Sequence, residues 1–276
     1  MSPKRTGRGR GSGNKRAKPP PKFRTNEKML LELIFNMPAD RMPLIAPTVV
    51  WAIHAAKPRA IDPALCIDAC LALRYAFEVY GIAAHPAAVQ VGIGPVGEDP
   101  ERLYERRYGP EQAYFNVDGT FNGHLVLVVP HPGVFIDATV QQFPEVPKTD
   151  LAVMPALGGL PSPYGLGTDP YLVRRADNDF LYVPQAEEVE SIIYRDRKVA
   201  VNMAKLRATG LFLASNAFDM LRHPDVRAKI RTAPYPRLQR QLDALGEAER
   251  IVRSRDGVWN FLDPQTGAEI RLSDIP

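Results

Sequence analysis

The stretch that decides the fold is residues 66–82, which read CIDACLALRYAFEVYGI. Apolar side chains recur in and just before it at intervals of three and four residues, at Leu65, Ala69, Leu73, Ala76, Phe77 and Tyr80. This spacing predicts an amphipathic helix with one buried face. Asp62 and Pro63 are typical of a helix start, and Gly81 is typical of a left-handed helix end.

The predicted helix places Cys66 in its first turn. The unpaired backbone amides and the positive end of the helix dipole favour a thiolate there, and the thiolate is the nucleophilic form of cysteine. The alternative is an inert cysteine in an apolar core, which is the commoner role of this residue type in a buried helix. The sequence downstream decides between these two interpretations.

Composition narrows the class of protein. The chain has 276 residues, of which 45% are hydrophobic, so it can build a substantial core in one large domain or two small ones. Its two cysteines lie four positions apart on one helix, which suits neither a disulfide nor a zinc site, and we expect a reducing compartment. The start of the chain lacks an apolar signal core and no apolar run is long enough to span a membrane, which indicates a soluble, cytoplasmic protein.

Positive charge is concentrated near the N-terminus. The formal net charge is +4, and residues 1–26 contain nine basic side chains and no acidic one. The basic residues are Lys4, Arg5, Arg8, Arg10, Lys15, Arg16, Lys18, Lys22 and Arg24. Because Gly, Pro and Ser accompany them, we predict a disordered basic arm at residues 1–25. Such an arm either solvates the chain or binds nucleic acid or another polyanion.

The patterns that follow predict a core at residues 26–190 that combines helices with an antiparallel sheet. Helices are predicted at residues 26–35, at 47–54 with its start at Pro47 or Thr48, and from 62–63 to a stop at Gly81. Strands are predicted at residues 88–93, 124–129, 134–137, 171–173 and 180–183, with a long proline-rich loop at 142–170. The strands at 124–129 and 134–137 form a hairpin of two central strands, and those at 171–173 and 180–183 form another. We therefore expect an α+β fold with a helical layer packed on an antiparallel sheet.

Residues 191–276 are predicted to be a helical C-terminal extension. A helix is expected at residues 200–222, interrupted at Gly210, and a second one at 238–252. A hairpin around residues 263–267 closes the chain, anchored by Trp259 and Phe261.

The hairpin of the strands at 124–129 and 134–137 supplies partners for the cysteine. His124 begins one strand and Asp137 ends the next, so both lie at the same end of the hairpin and are expected to be cross-strand neighbours. A nucleophilic cysteine needs a base to take its proton and a third group to orient that base. Cys66, His124 and Asp137 together predict a catalytic triad.

These residues resemble the transglutaminase-like cysteine enzymes of the papain-like fold. The similarity rests on Cys66-Ile67-Asp68 at a helix start, Gly81-Ile82 at its end, His124 at a strand start and Asp137-Ala138-Thr139 after the next strand. The segment from Asp137 to Phe143 is similar to uncharacterised bacterial members in which Asp-x-Thr is followed by Gln-Phe. The number of residues between the cysteine and Gly81 matches the resemblance for Cys66, which selects Cys66 as the nucleophile and leaves Cys70 as a core residue. The resemblance covers roughly residues 47 to 143.

The predicted function is cysteine-dependent acyl transfer on an amide bond of a protein, a peptide or a glutamine side chain, through a thioester. Hydrolysis by a protease or amidase and transfer by a transglutaminase share these steps, and we favour hydrolysis because water needs no acceptor site. The alternative is a non-enzymatic adaptor that binds nucleic acid or an acidic partner through its basic arm. The oxyanion donor stays open among the backbone amide of Cys66 and the side chains of Trp51, Gln90 and Gln141.

Metal and cofactor sites have little support in the sequence. The histidines outside the proposed triad are His54, His85, His131 and His223, and no pair of them has metal-ligand spacing. The glycines of residues 7–13 follow no strand and open no helix, so they do not predict a phosphate loop. We therefore expect an enzyme without a cofactor.

Overall fold

The structure is a computed structural model, and it describes residues 32, 34–55, 65–146, 169–175, 177–185, 189–246, 248, 250–255, 257–263 and 265–276. Several predictions lie outside these residues: the basic arm at 1–25, most of the helix at 26–35, the helix start at 62–63 and most of the loop at 142–170. In the described part of the chain no helix combines the length and the apolar character needed to cross a membrane.

The helices of the described residues include the predicted one that carries Cys66. They are α1 (Met42–Ala55), α2 (Leu65–Val79), α3 (Pro100–Glu105), α4 (Val189–Arg195), α5 (Arg197–Leu221), α6 (Pro224–Ile230) and α7 (Pro236–Leu245). Short 3-10 turns lie at Val140–Gln142 and Leu272–Asp274. The prediction of α2 and of its glycine end is confirmed, since Gly81 has a φ of 74°, in the left-handed region.

Helix α1 begins earlier than the sequence predicts. A start at Pro47 or Thr48 is wrong, because the helix begins at Met42 and contains Pro47 in its interior. Proline cannot donate a hydrogen bond to the preceding turn. The Thr48 hydroxyl donates to the Leu44 carbonyl at 2.8 Å, and most side chains of α1 are buried. Tertiary burial therefore outweighs the local cost of proline in this helix.

The central sheet has five strands, all paired antiparallel, in the order β5-β4-β1-β7-β6. The strands are β1 (His85–Pro95), β4 (His124–Val129), β5 (Val134–Ile136), β6 (Tyr171–Arg175) and β7 (Asn178–Pro184), with a small hairpin of β2 (Tyr114–Phe115) and β3 (Phe121–Asn122). Both predicted hairpins of the core are confirmed. The expectation that β4 and β5 are both central is wrong, because β5 has three residues and lies at the edge of the sheet.

The sheet is buried on both faces, and this gives the α+β architecture. Leu125, Leu127 and Val129 of β4 belong to a core shared with α1, α2 and α5. The alternate residues Val126 and Val128 belong to a second core, together with side chains from β1, β5 and β7. The first core also contains residues of α6, α7 and the C-terminal strands, so the segments before and after residue 190 bury their apolar faces together.

Gly210 does not interrupt the long C-terminal helix, as the sequence suggests. Helix α5 runs unbroken through this position. A Cβ atom at residue 210 would lie 2.4 Å from Tyr75 Cβ and 2.7 Å from the Ala72 carbonyl oxygen. The glycine therefore serves the close packing of α5 on α2 rather than a break in the helix.

The prediction of a helix at residues 238–252 is confirmed for its first part and wrong for its last. Helix α7 ends at Leu245, with Gly246 as its C-cap, and β8 (Ile251–Arg253) pairs with β9 (Trp259–Leu262). The apolar residues Ile251 and Val252 extend the helical spacing, but in the structure Ile251 lies opposite Phe261 in a sheet. The terminal hairpin is confirmed by the pairing of β9 with β10 (Glu269–Arg271).

Candidate active site

The first component of the candidate site is the start of α2. Cys66 is the second residue of this helix, and 1% of its surface is exposed. Cys70 lies one turn further along and is also buried. Burial raises the pKa of the Cys70 thiol well above its ordinary value, and the charges of Cys66 and Asp137 raise it further. Cys70 is therefore held as a neutral thiol, whereas Cys66 lies at the end of the helix where the amides are unpaired.

The second component is the base of the β4–β5 hairpin. The pairing of Leu127 with Ile136 fixes the register of this hairpin, and Asp137 follows directly after β5. In this register Asp137 and His124 are diagonal cross-strand neighbours on one face. Their side chains still meet, with His124 Nε2 2.9 Å from Asp137 Oδ2. A diagonal pair is close enough for a long side chain such as histidine to reach its neighbour.

Asp137 is fully buried and held by three donors. The backbone amide of Thr139 donates to Oδ1 at 3.0 Å, in the turn that aspartate commonly forms with the residue two positions on. The Tyr182 hydroxyl of β7 donates to Oδ2 at 3.0 Å, beside the bond from His124. Because Thr139 fixes one carboxylate oxygen, the other is directed at the imidazole and at Tyr182. Three hydrogen-bond donors thus hold one buried carboxylate in place.

His124 connects the carboxylate with the cysteine. It is buried, and burial by itself lowers its pKa, but the charge and the hydrogen bond of Asp137 outweigh burial. A side-chain hydrogen bond with Cys66 and the charge of Cys66 act in the same direction, so the pKa of His124 is raised. The imidazole therefore has the carboxylate on one side and the thiol on the other, which is the arrangement of a Cys-His-Asp triad.

The other ring nitrogen of His124 has a second neighbour. Because Nε2 faces Asp137, Nδ1 is the nitrogen left to exchange a proton with Cys66. Gln142 Nε2 lies 2.6 Å from this Nδ1. The ring of Phe143 packs edge-on against the imidazole, with 5.1 Å between the ring centroids. Both nitrogens and one flank of the ring are thus contacted by residues between Asp137 and Phe143.

The three predicted side-chain candidates for the oxyanion donor lie in different surroundings. Trp51 is buried on α1, and its Nε1 has no hydrogen-bond partner among the described residues. Gln90 on β1 donates to the Gly109 carbonyl at 3.0 Å and accepts from Arg107 Nε at 2.7 Å, so both ends of its amide are engaged. Gln141 lies in the 3-10 turn, and its side chain is outside what the structure describes.

The histidines outside the triad lie apart from it. Burial lowers the pKa of His85, which begins β1. His223 is the N-cap residue of α6, and the His131 carbonyl lies 3.4 Å from the Tyr235 hydroxyl. The side chain of His54 is outside the described residues. Among the described residues, no group of three or more His, Cys, Asp and Glu side chains is arranged to hold a metal ion.

Sequence reasoning missed two side chains of this site. The resemblance contains a signal for Gln142, because the Gln-Phe pair after Asp-x-Thr is part of it. The candidate predicted from the sequence is instead the neighbouring Gln141. Tyr182 had no signal, since an apolar strand with a tyrosine is typical of any core. Its role depends on the curl of the sheet, which brings β7 near the end of β5.

Comparison of the chain with protein-family models, with curated proteins and with solved structures gives no match. The chemistry of the site therefore follows from its own geometry.

Proposed function

We propose that the protein is a cysteine-dependent enzyme that transfers the acyl group of an amide, with Cys66 as nucleophile, His124 as base and Asp137 as the orienting acid. The observation that carries this proposal is one imidazole with two partners. His124 Nε2 lies 2.9 Å from the buried Asp137 carboxylate, and Cys66 at the start of α2 lies close enough to the same ring to raise its pKa. A buried histidine that served packing alone would need no thiol in this position.

The reaction that this geometry supports has two halves. In the first, the Cys66 sulfur attacks the amide carbonyl, and the proton of its thiol is held on His124 Nδ1, where the raised pKa of the imidazole keeps it. The protonated imidazole then donates that proton to the leaving amine, the C–N bond breaks, and a thioester remains on Cys66. In the second half, His124 takes a proton from the acceptor, which attacks the thioester and releases the thiol. Asp137 stabilises the imidazolium and keeps Nε2 protonated throughout.

The architecture supports the resemblance to transglutaminase-like enzymes of the papain-like fold. In both, a helix presents the cysteine at its start, and successive elements of an antiparallel sheet supply the histidine and the aspartate. The proposed substrate is an amide of a protein or peptide, or a glutamine side chain. Water is the proposed acceptor, because hydrolysis needs no second binding site.

Trp51 is the side chain that we propose as oxyanion donor. Its indole nitrogen is buried without a partner among the described residues, and such a group costs free energy unless something binds it. Gln90 would have to give up its bonds to Gly109 and Arg107 to take this role.

The decisive experiment is acylation by a small activated ester, p-nitrophenyl acetate, since Cys66 is almost fully buried. We expect an initial burst of nitrophenolate and an acetyl group on Cys66 that hydroxylamine removes, as is typical of a thioester. The Cys66→Ala protein should show neither, whereas the matched Cys70→Ala protein should keep both. His124→Asn should slow acylation by about 10²- to 10⁴-fold. Equal acylation of the wild-type and Cys66→Ala proteins would disprove the proposal.

The adaptor function stays a prediction from the sequence, because residues 1–25 lie outside the described part of the chain. Deletion of residues 1–24 separates the two functions. If the basic arm is the functional part, deletion abolishes polyanion binding, and acylation is undetectable in either form. If the triad is the functional part, the shortened chain acylates at the rate of the full chain.

A further inference from the structure

The imidazole of His124 is held by one continuous segment of chain. Asp137 binds Nε2, Gln142 lies at Nδ1 and Phe143 packs against the ring edge. Two hydrogen bonds from backbone amides fix this segment: the Thr139 amide donates to the Asp137 side chain at Oδ1 at 3.0 Å, and the Gln142 amide donates to the Thr139 carbonyl at 2.9 Å. The turn that orients the carboxylate therefore also places the Gln142 side chain.

Gln142 lies at the ring nitrogen that the proposed reaction needs for Cys66. Asp137 occupies Nε2, so the proton that Cys66 gives up must reach Nδ1, and the Gln142 side-chain amide lies 2.6 Å from that atom. A glutamine amide can turn either end to it. With its NH₂ group it donates to a neutral ring, and with its oxygen it accepts from an imidazolium. In the first orientation it stabilises the neutral ring, which has no Nδ1–H to offer a thiolate, and in the second it takes the hydrogen bond that the Cys66 thiolate would otherwise make with Nδ1–H.

We infer that Gln142 is a positioning residue that shares Nδ1 of His124 with Cys66 and so limits the fraction of thiolate in the resting site. This inference rests on the proposed function, because it gives a role to the pair that the acyl transfer uses. Gln142 keeps the imidazole in place between its two partners and competes with Cys66 for Nδ1 until an acyl donor arrives.

Among the described residues, three titratable groups lie around His124 and Cys66. The Asp137 carboxylate faces His124 and receives the Tyr182 hydroxyl, and Cys70 of the same helix lies near Cys66. None of these groups is changed when Gln142 is replaced. A change in the ionisation of Cys66 in a Gln142 variant is therefore attributable to the bond at Nδ1.

The test measures the thiolate directly by its ultraviolet absorbance, which needs no reagent to enter the buried site. The background is Cys70→Ala, so that Cys66 is the only thiol, and the spectrum of a Cys66→Ala, Cys70→Ala protein is subtracted at each pH to remove the tyrosines. The nearly isosteric Gln142→Met removes the competing bond, and the midpoint for thiolate formation should fall by about one pH unit. Gln142→Glu adds a stronger acceptor and a negative charge at Nδ1, and the midpoint should rise.

The opposite signs distinguish this role from a structural one, which would move both midpoints in one direction or neither. Circular dichroism checks that each variant is folded, and if Gln142→Met is not, Gln142→Ala takes its place in the comparison with Gln142→Glu. Unchanged midpoints, or a shift of the same sign in both variants, overturn the inference.

A His124→Asn protein in the same background separates this result from the proposed function. If its midpoint equals that of the parent, Cys66 and His124 are not coupled and the proposed triad itself fails. If its midpoint rises while the Gln142 variants match the parent, only the role of Gln142 is refuted.

Discussion

Two buried aspartates of the central sheet have the same number of described hydrogen bonds but different partners. Asp137 accepts from His124, Tyr182 and the Thr139 amide. Asp179 on β7 accepts two bonds from the Arg174 guanidinium, at 2.9 and 3.0 Å, and one from the Gly97 amide at 2.7 Å.

The difference lies in what each partner can do with a proton. The guanidinium of Arg174 stays charged at any pH that a protein tolerates, and 60% of its side chain is exposed. The imidazole of His124 gains and loses a proton readily, is buried, and has its pKa raised by Asp137 and Cys66. A buried carboxylate with an arginine holds two strands together, whereas one with a histidine beside a cysteine can support catalysis.

The largest difference between the two sites is expected in catalysis. Asp137→Asn keeps the shape of the side chain but removes the charge that stabilises the imidazolium, and it favours the wrong tautomer of His124. We expect acylation by p-nitrophenyl acetate to slow by about 10³-fold. Asp179→Asn is the matched control and should stay within about twofold of wild type. Equal losses in the two variants would show that the assay reports folding and not the triad.

The next effect concerns the stability of the Asp179 site. Asp179→Asn leaves Arg174 without its carboxylate, and we expect the midpoint of thermal unfolding to fall by about 5 °C. Hydrogen bonds from Arg174, and then from Gly97, hold the pKa of Asp179 below its ordinary 3.8. Its stabilising contribution is therefore present above pH 3.8 and lost as the pH falls through the folded-state pKa. Melting curves in acid should show the wild type and the variant converging, and a constant difference would contradict this origin.

The Asp137 site should have the opposite dependence on pH. The pKa of His124 is raised above its ordinary 6.5, so the folded protein binds the proton more tightly than the unfolded chain does. The contribution of His124 to the free energy of unfolding is then complete below pH 6.5 and is lost as the pH rises through the folded-state pKa. Urea unfolding of the wild type and His124→Gln should show their difference shrinking by about 1 kcal/mol per pH unit above 6.5. A difference that grows with pH would refute the raised pKa.

Only the local part of the site could be predicted from the sequence. The helix of Cys66 follows from local spacing, and the hairpin that carries His124 and Asp137 follows from two apolar runs around a short turn. These are features within short stretches of chain, where pattern and propensity act directly.

The contacts that complete the site depend on how distant segments pack. Tyr182 reaches Asp137 from another hairpin, and the offset of Asp137 from His124 depends on a register that the turn sets. Gly210 shows the same limit: a residue that breaks isolated helices is kept in α5 because Tyr75 and Ala72 of α2 lie against it. No local pattern encodes such neighbours, because each is fixed by packing across the core.

The smallest predicted effect isolates the third donor of Asp137. Tyr182→Phe removes the hydroxyl that donates to Oδ2 at 3.0 Å, and it should cost about 1 kcal/mol of stability. Tyr80→Phe is a close match, since Tyr80 is equally buried and its hydroxyl donates to the Ala214 carbonyl at 2.7 Å, away from any carboxylate. Both variants should lose similar stability in urea unfolding. Only Tyr182→Phe should change the rate of acylation, by about fivefold at neutral pH. The high-pH limb of its pH–rate profile should also move to higher pH, because a carboxylate relieved of one donor attracts the imidazolium more strongly. If both variants acylate alike at every pH, Tyr182 supports the fold at Asp137 and not the chemistry.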